Sequence, residues 1–233
     1  MNRHLFHPPK FGLGRCARAC ALLMFFLLPA LAGCAHHNSV KPLEYTLISP
    51  YGHVRTWAVA PVINLSGSRA FDPLRVSDEL FEELQQVQNL NVLPVDKSLM
   101  AMQQLQMPML TSAKSALQIA ELLHADGIVV AAITAYNPYT PPTVGMDIQL
   151  YSVHGQRPGL APQPVAQVSA MFTAANRTVR MELRNFATGR SGADHTMGRR
   201  RYLVDIDAYM RFVCHAMAQR LLLQVQKARL NGR

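Results

Sequence analysis

The first 43 residues carry no acidic side chain, and the whole chain sets only 14 Asp and Glu against 23 Lys and Arg. Cysteine is scarce, at positions 16, 20, 34 and 214. With Cys214 alone beyond position 34, the body of the chain has no partner for an intramolecular disulfide and no multi-cysteine zinc site. Long hydrophobic runs are missing too. The greasiest stretch, Ala19 to Leu31, has 13 residues and includes Cys20 and Pro29. As a helix it would rise about 20 Å, short of the ~30 Å hydrocarbon core of a bilayer, which excludes an ordinary membrane span. There is no phosphate loop and no Gly-x-Ser-x-Gly elbow.

What is present at the N-terminus has a pattern of its own. Arg3, Lys10, Arg15 and Arg18 precede the short apolar run, and small residues close it. A basic segment, a short apolar segment and small residues describe a secretory signal peptide. The closing residues, Leu31-Ala32-Gly33-Cys34, resemble a bacterial lipobox. That resemblance implies recognition of Leu31, Ala32 and Gly33, removal of residues 1–33, and a covalent diacylglycerol plus an N-acyl chain on Cys34. Each buried CH₂ contributes ~0.8 kcal/mol, so two or more chains hold a protein stably at a membrane. Ala35, rather than Asp, follows the cysteine, which resembles an outer-membrane address. Cys34 and a tether are expected over residues 34–53, with a periplasmic domain over 54–233. The pair His36-His37 reads as polar tether rather than a metal site.

Charge divides the remainder. Residues 34–153 hold 6 Lys and Arg against 10 Asp and Glu, whereas residues 154–233 hold 13 against 4. For an exported chain, the anionic candidates for the basic part are lipid head groups, peptidoglycan and acidic protein faces, not nucleic acid.

Periodicity then outlines a fold. Residues 55–63 read as a buried strand, with Asn64-Leu65-Ser66-Gly67-Ser68 as a turn. A helix follows, N-capped by Asp72 with Pro73 at its first position, placing Leu74, Ser77, Leu80, Phe81 and Leu84 inward and Asp78, Glu79, Glu82 and Glu83 in water. Residues 91–95 form a second strand before a helix capped by Asp96, and a third helix runs to a stop at Gly127. Residues 127–136 and 146–153 form a hairpinned strand pair around the Pro-rich Asn137–Gly145 segment. Another strand over 165–175, a short helix from Arg177 to Gly189, a polar link and one long terminal helix from Tyr202 complete the reading. The expected inward stripe of that helix is Leu203, Ile206, Met210, Val213, Met217, Leu221 and Val225, with Cys214 as a packed small hydrophobe. The order predicts an α/β domain whose mixed sheet is parallel early and an antiparallel hairpin late, flanked by helices and closed by a long C-terminal helix.

Several segments of this pattern, Trp57-to-Ser68, Leu90-to-Gln106, Ala116-to-Asn137 and Val144-to-Gly155, resemble the TolB N-terminal-like and CsgG-type group. That group includes LpoB- and FlgO-like lipoproteins. The resemblance implies a non-catalytic, lipid-anchored domain that binds envelope proteins. CsgG-type pores insert long membrane hairpins. The nine residues Asn137–Gly145, with three Pro, cannot supply two strands of about 9–11 residues each.

Candidate chemistry is sparse. Ser66 and Ser68 are the candidate nucleophiles, and neither stands in a recognised motif; His124, just before Asp126 at a helix end, reads as a capping or packed residue, and His154, His195 and His215 share no diagnostic spacing with a carboxylate. No catalytic residue, metal ligand or cofactor beyond the lipid on Cys34 is expected. Two features fit partner binding: Tyr136 and Tyr139 on the stiff proline loop, and the basic residues Arg177, Arg180, Arg184, Arg199, Arg200 and Arg201. The leading expectation is an assembly, scaffold or regulatory adaptor on the periplasmic side of the outer membrane. A subunit of an oligomeric export channel and an unrecognised hydrolase are the alternatives.

Overall fold

The computed structural model describes residues 47–156, 159–190 and 198–231. Its strands are β1 (Arg55–Val59), β2 (Ile63–Asn64), β3 (Leu90–Leu93), β4 (Gly127–Asn137), β5 (Thr143–Ser152) and β6 (Ala166–Thr173). They form one open sheet in the order β3-β1-β4-β5-β6, with β2 prolonging the line of β1 along β4. β1 lies parallel to β3 and β4, whereas β4–β5 and β5–β6 are antiparallel. The expected mixed sheet, parallel early and hairpinned late, is present. The helices are α1 (Pro73–Gln85), α2 (Val95–Gln104), α3 (Ala113–Leu122), α4 (Arg177–Arg190), α5 (Gly198–Val204) and α6 (Ile206–Asn231). No described helix is long and apolar enough to cross a membrane.

Local chemistry explains where these elements start and stop. Asp72 accepts from the Leu74 amide at 2.9 Å, with Pro73 opening α1, as the sequence predicts. Ser112 caps α3 by accepting from the Ser115 amide. α2 departs from expectation: it begins at Val95, Pro94 precedes it without a side-chain cap, and Asp96 lies in the first turn. There its charge still faces the positive end of the helix dipole. α3 stops before Gly127, through His124 in the left-handed conformation at φ 51°. Gly127 instead opens β4, where an added Cβ would lie 2.7 Å from the Tyr151 carbonyl oxygen. The proline segment is shorter than expected, because β4 runs to Asn137 and β5 starts at Thr143.

At the C-terminus two helices replace the expected one. Asp205 lies between α5 and α6, and its Oδ1 accepts from the amides of Asp207 and Ala208. This side-chain cap starts α6 afresh. Residues 191–197 of the expected polar link, including His195, lie outside the described residues.

Helices α1, α4 and α6 pack on one face of the sheet around Trp57, Phe172, Phe186, Tyr209 and Phe212. Helices α2 and α3 cover part of the other around Ile119 and Ile128. Within α6, Ala208 to Ala218 are buried except Arg211, so a single inward stripe describes only the ends of this helix. It packs against β5 and β6 of the sheet, against α1, and against the Phe186 ring of α4. Leu203 and Ile206 are only partly buried.

Candidate functional site

The clearest departure from the sequence reading lies on α1. Glu79 and Glu83, placed in water by periodicity, are 7% and 1% exposed. Each faces a nitrogen-bearing side chain on α6. Arg75 Nη1 lies 2.9 Å from Asp207 Oδ2, Arg211 Nε donates to Glu79 Oε1 at 2.9 Å, and His215 Nδ1 is 2.8 Å from Glu83 Oε2. The rungs advance four residues at a time on both helices, so α1 and α6 run in the same direction. The first rung is about half exposed and the last fully enclosed. Arg190 of α4 reaches in to bond Glu83 Oε1, and its guanidinium lies 5.0 Å over the Phe186 ring. The buried rung thus joins three helices. A partner on each oxygen, one of them a guanidinium, is what a desolvated carboxylate requires.

The open end of this ladder forms one wall of a groove of about 330 Å³. Its lining includes Phe71, Arg75, Glu79, Tyr136, Asp207 and Met210. The groove lies beyond the C-terminal ends of β2 and β4, where open α/β sheets commonly bind ligands. Phe71 and Tyr136 pack ring to ring at 4.7 Å with a 37° tilt. Burial, reinforced by the Asp207 charge, pushes the Tyr136 hydroxyl above its usual pKa. Burial also raises the Glu79 carboxyl, against the opposing hydrogen bond and charge of Arg211. One Glu79 oxygen, Oε2, is buried without a hydrogen-bond partner.

The sequence candidates distribute around this end of the sheet. Tyr136 is in the groove wall, and Tyr139, 79% exposed, projects from the adjoining turn. Thr140 Oγ1 ties that turn to the Leu203 carbonyl of α5. Thr143 pairs with Thr173 in register, which places the start of α4 at the same end. There Arg177 is exposed, while Arg180 donates to the carbonyls of Ala174 and Ala175. Arg184 is exposed two turns along, as are Arg200 and Arg201 on α5, the latter 3.5 Å from Asp205. The side chain of Arg199 and the residues Leu31, Ala32, Gly33 and Cys34 lie outside the described positions.

The serines of the hydrolase alternative serve the turn after β2. Ser66 donates to Asn64 Oδ1, and Ser68 Oγ accepts from the Ala70 amide. His154 lies 3.5 Å from Asp126, is largely exposed, and approaches neither serine through any bond described. His215 proves to pair with Glu83 across a separation of 132 residues, which no local spacing could reveal. Its signal in the sequence is weak: Arg75, Glu79 and Glu83 on one helix match Asp207, Arg211 and His215 at the same four-residue steps on a distant one. Cys214 is fully buried and burial pushes its thiol well above the usual value, as expected of a packed side chain.

A second cluster lies at the opposite end of the sheet, where the described chain begins. Leu47 is 4% exposed. Tyr51 packs edge-on to Trp57 and lies beneath the guanidinium groups of both Arg55 and Arg229. Arg229 also donates to the Pro50 carbonyl. Asp126 accepts from Arg55 at 2.9 Å and from the Thr56 amide at 2.8 Å. Burial raises the Asp126 carboxyl, but the Thr56 amide and the Arg55 guanidinium outweigh it and hold the group below the ordinary range.

No protein-family model and no curated protein matches this chain. Solved structures do show similarity. The LpoB C-terminal domain from Salmonella enterica is 16% identical, with 51% of this chain and 82% of that one covered and a TM-score of 0.42. PelC from Paraburkholderia phytofirmans, a dodecamer, is 13% identical over 75% and 92%, with a TM-score of 0.39. Lipoprotein GNA1162 from Neisseria meningitidis is 15% identical over 52% and 84%, with a TM-score of 0.35.

Proposed function

We propose that the protein is a lipid-anchored adaptor of the bacterial envelope, held on the periplasmic side of the outer membrane by acyl chains on Cys34. Its α/β domain engages other envelope proteins and catalyses nothing. The observation that carries this reading is polarity. The chain enters the domain at the end clamped by Arg55 and Arg229, and the groove opens at the other. Asp207 in the groove and Arg229 in the clamp are on one helix, 22 residues or about 33 Å apart. A domain tethered at one end therefore presents Tyr136, Tyr139, Arg177 and Arg180 at its far end. The lipobox-like Leu31–Cys34 and the basic segment before it support the anchor. The exposed arginines of α4 and α5 offer anionic lipid or peptidoglycan a contact through guanidinium forks. A channel-forming hairpin is disfavoured between β4 and β5, where residues 138–142 alone connect the strands.

Two measurements test this. Labelling with radioactive palmitate should mark the wild type and not Cys34→Ala. Affinity purification from crosslinked envelopes should recover a protein partner, and recovery should fall when Tyr139 is replaced by Ala. An unlabelled wild type, or no partner under several crosslinking conditions, would defeat the proposal.

A further inference from the structure

At the clamped end of the sheet, apolar side chains stand in water beside cations. Ile48 is 68% exposed, Val54 65% and Leu230 63%. Their chain neighbours are held together there: Arg229 donates to the Pro50 carbonyl, and the guanidinium groups of Arg55 and Arg229 both lie over Tyr51. Arg55, Arg229 and His154 line a small pocket of about 200 Å³ at this end. Among the described residues of its lining, Asp126 is the only carboxylate, and Arg55 already pairs with it. Lys227, two residues before Arg229, is exposed. Among the described residues, no carboxylate pairs with Lys227 or Arg229. Exposed aliphatic tips interleaved with uncompensated cations suit a bilayer surface, where the tips enter the head-group boundary and the cations meet lipid phosphate.

We infer that this end of the domain rests on an anionic bilayer, with Ile48, Val54 and Leu230 in the head-group boundary and Lys227 and Arg229 against lipid phosphates; this rests on the anchor proposed at Cys34. The bilayer that holds the anchor is the one within reach. Leu47 lies 13 residues beyond Cys34, a stretch whose covalent reach is about 45 Å at most. Each basic group near an anionic surface strengthens binding only about fivefold, too little for lasting attachment alone. The anchor makes the contact intramolecular, so that weak contacts suffice to orient the domain. Leu65, Leu74 and Tyr139 are exposed too, but they stand at the groove end, about 33 Å away along α6. In this orientation they and the groove point away from the lipid.

The test uses the full-length protein reconstituted into vesicles of equimolar phosphatidylglycerol and phosphatidylcholine, or of phosphatidylcholine alone. A nitrobenzoxadiazole label is attached through Leu230→Cys, or through Tyr139→Cys as the far-end control; Cys214 is fully buried and does not compete for it. Lipids carrying a nitroxide in the head group should quench the Leu230 label and leave the Tyr139 label bright. The same label through Ile48→Cys should follow Leu230, so that one misfolded variant does not decide the outcome. Lys227→Ala should weaken the docked state about fivefold, read as lost quenching, and phosphatidylcholine alone should weaken it further. Equal quenching at Leu230 and Tyr139, or none at Leu230 and Ile48, would overturn the inference. Quenching indifferent to both Lys227→Ala and lipid charge would overturn the phosphate contact. Shielding of the Leu230 label in detergent that grows with protein concentration would assign the surface to a second copy instead. A palmitate-labelled protein whose Leu230 label stays bright would remove this contact and leave the anchor reading intact. An unlabelled protein whose Leu230 label is quenched on added vesicles would do the reverse.

Discussion

On one face of the sheet, α2 and α3 press Ala58, Ala60, Ala116 and Ala120 together with Ile119 and Ile128, and Ser98 is the only polar side chain fully buried on those two helices. On the other face, α1 and α6 bury Glu79, Glu83 and His215 among aromatic rings. The first face is held by close approach of small residues. The second is held by apolar packing and by charges that must find one another. Paired ions inside a protein add little net stability, yet removing one partner strands the other. Strict pairing at four-residue steps also fixes how α6 sits along α1, since a shift by one turn would set Glu79 against Asp207 or His215 in place of Arg211.

This contrast can be broken from either side. Glu83→Ala strands His215 and Arg190 and should cost about 3–5 kcal/mol in urea unfolding. A loss below 1 kcal/mol would show that the enclosed rung is dispensable. Ala120→Leu on the opposite face overfills a site with no exposed area and should cost about 1–3 kcal/mol. Asp126 tests charge at the clamped end. Its folded pKa is depressed, so its contribution is present above the unfolded value near ~3.9 and is lost as pH falls through the folded one. Asp126→Asn should therefore be less stable than wild type at neutral pH, with the gap closing in acid. A constant gap across the acid range would refute that linkage. Arg75→Ala removes the half-exposed rung and should change stability by only about 0.2–1 kcal/mol, more at low salt than at high. The spread between Glu83→Ala and Arg75→Ala measures how far burial alone amplifies one type of contact.

The two faces also differ in how well they could be read. The Ala116, Ile119 and Ala120 stripe of α3 and the alternation of β5 show in the sequence, because apolar periodicity is a local property. The Asp72 cap, the Pro73 start and the packed Cys214 were legible for the same reason. Glu79 and Glu83 were not, since a carboxylate on a helix looks the same whether water or arginine faces it. The break at Asp205 was hidden because the apolar pattern runs on through it and only the cap bonds interrupt the helix. Tyr136 reads in the sequence as part of a proline loop, whereas it lies in β4 and its stacking on Phe71 depends on β2 and β4 ending side by side.

By itself the sequence determined the α/β class, the parallel-then-hairpin strand order and the uneven charge, because each is set by neighbouring residues and their spacing. The tertiary structure alone decided which charges are buried, that Glu79 and Glu83 meet Arg211 and His215 across 132 residues, and that the groove and the clamp lie at opposite ends of α6. The physical reason is that an ion's environment is made by groups remote in the chain, and no local pattern records them.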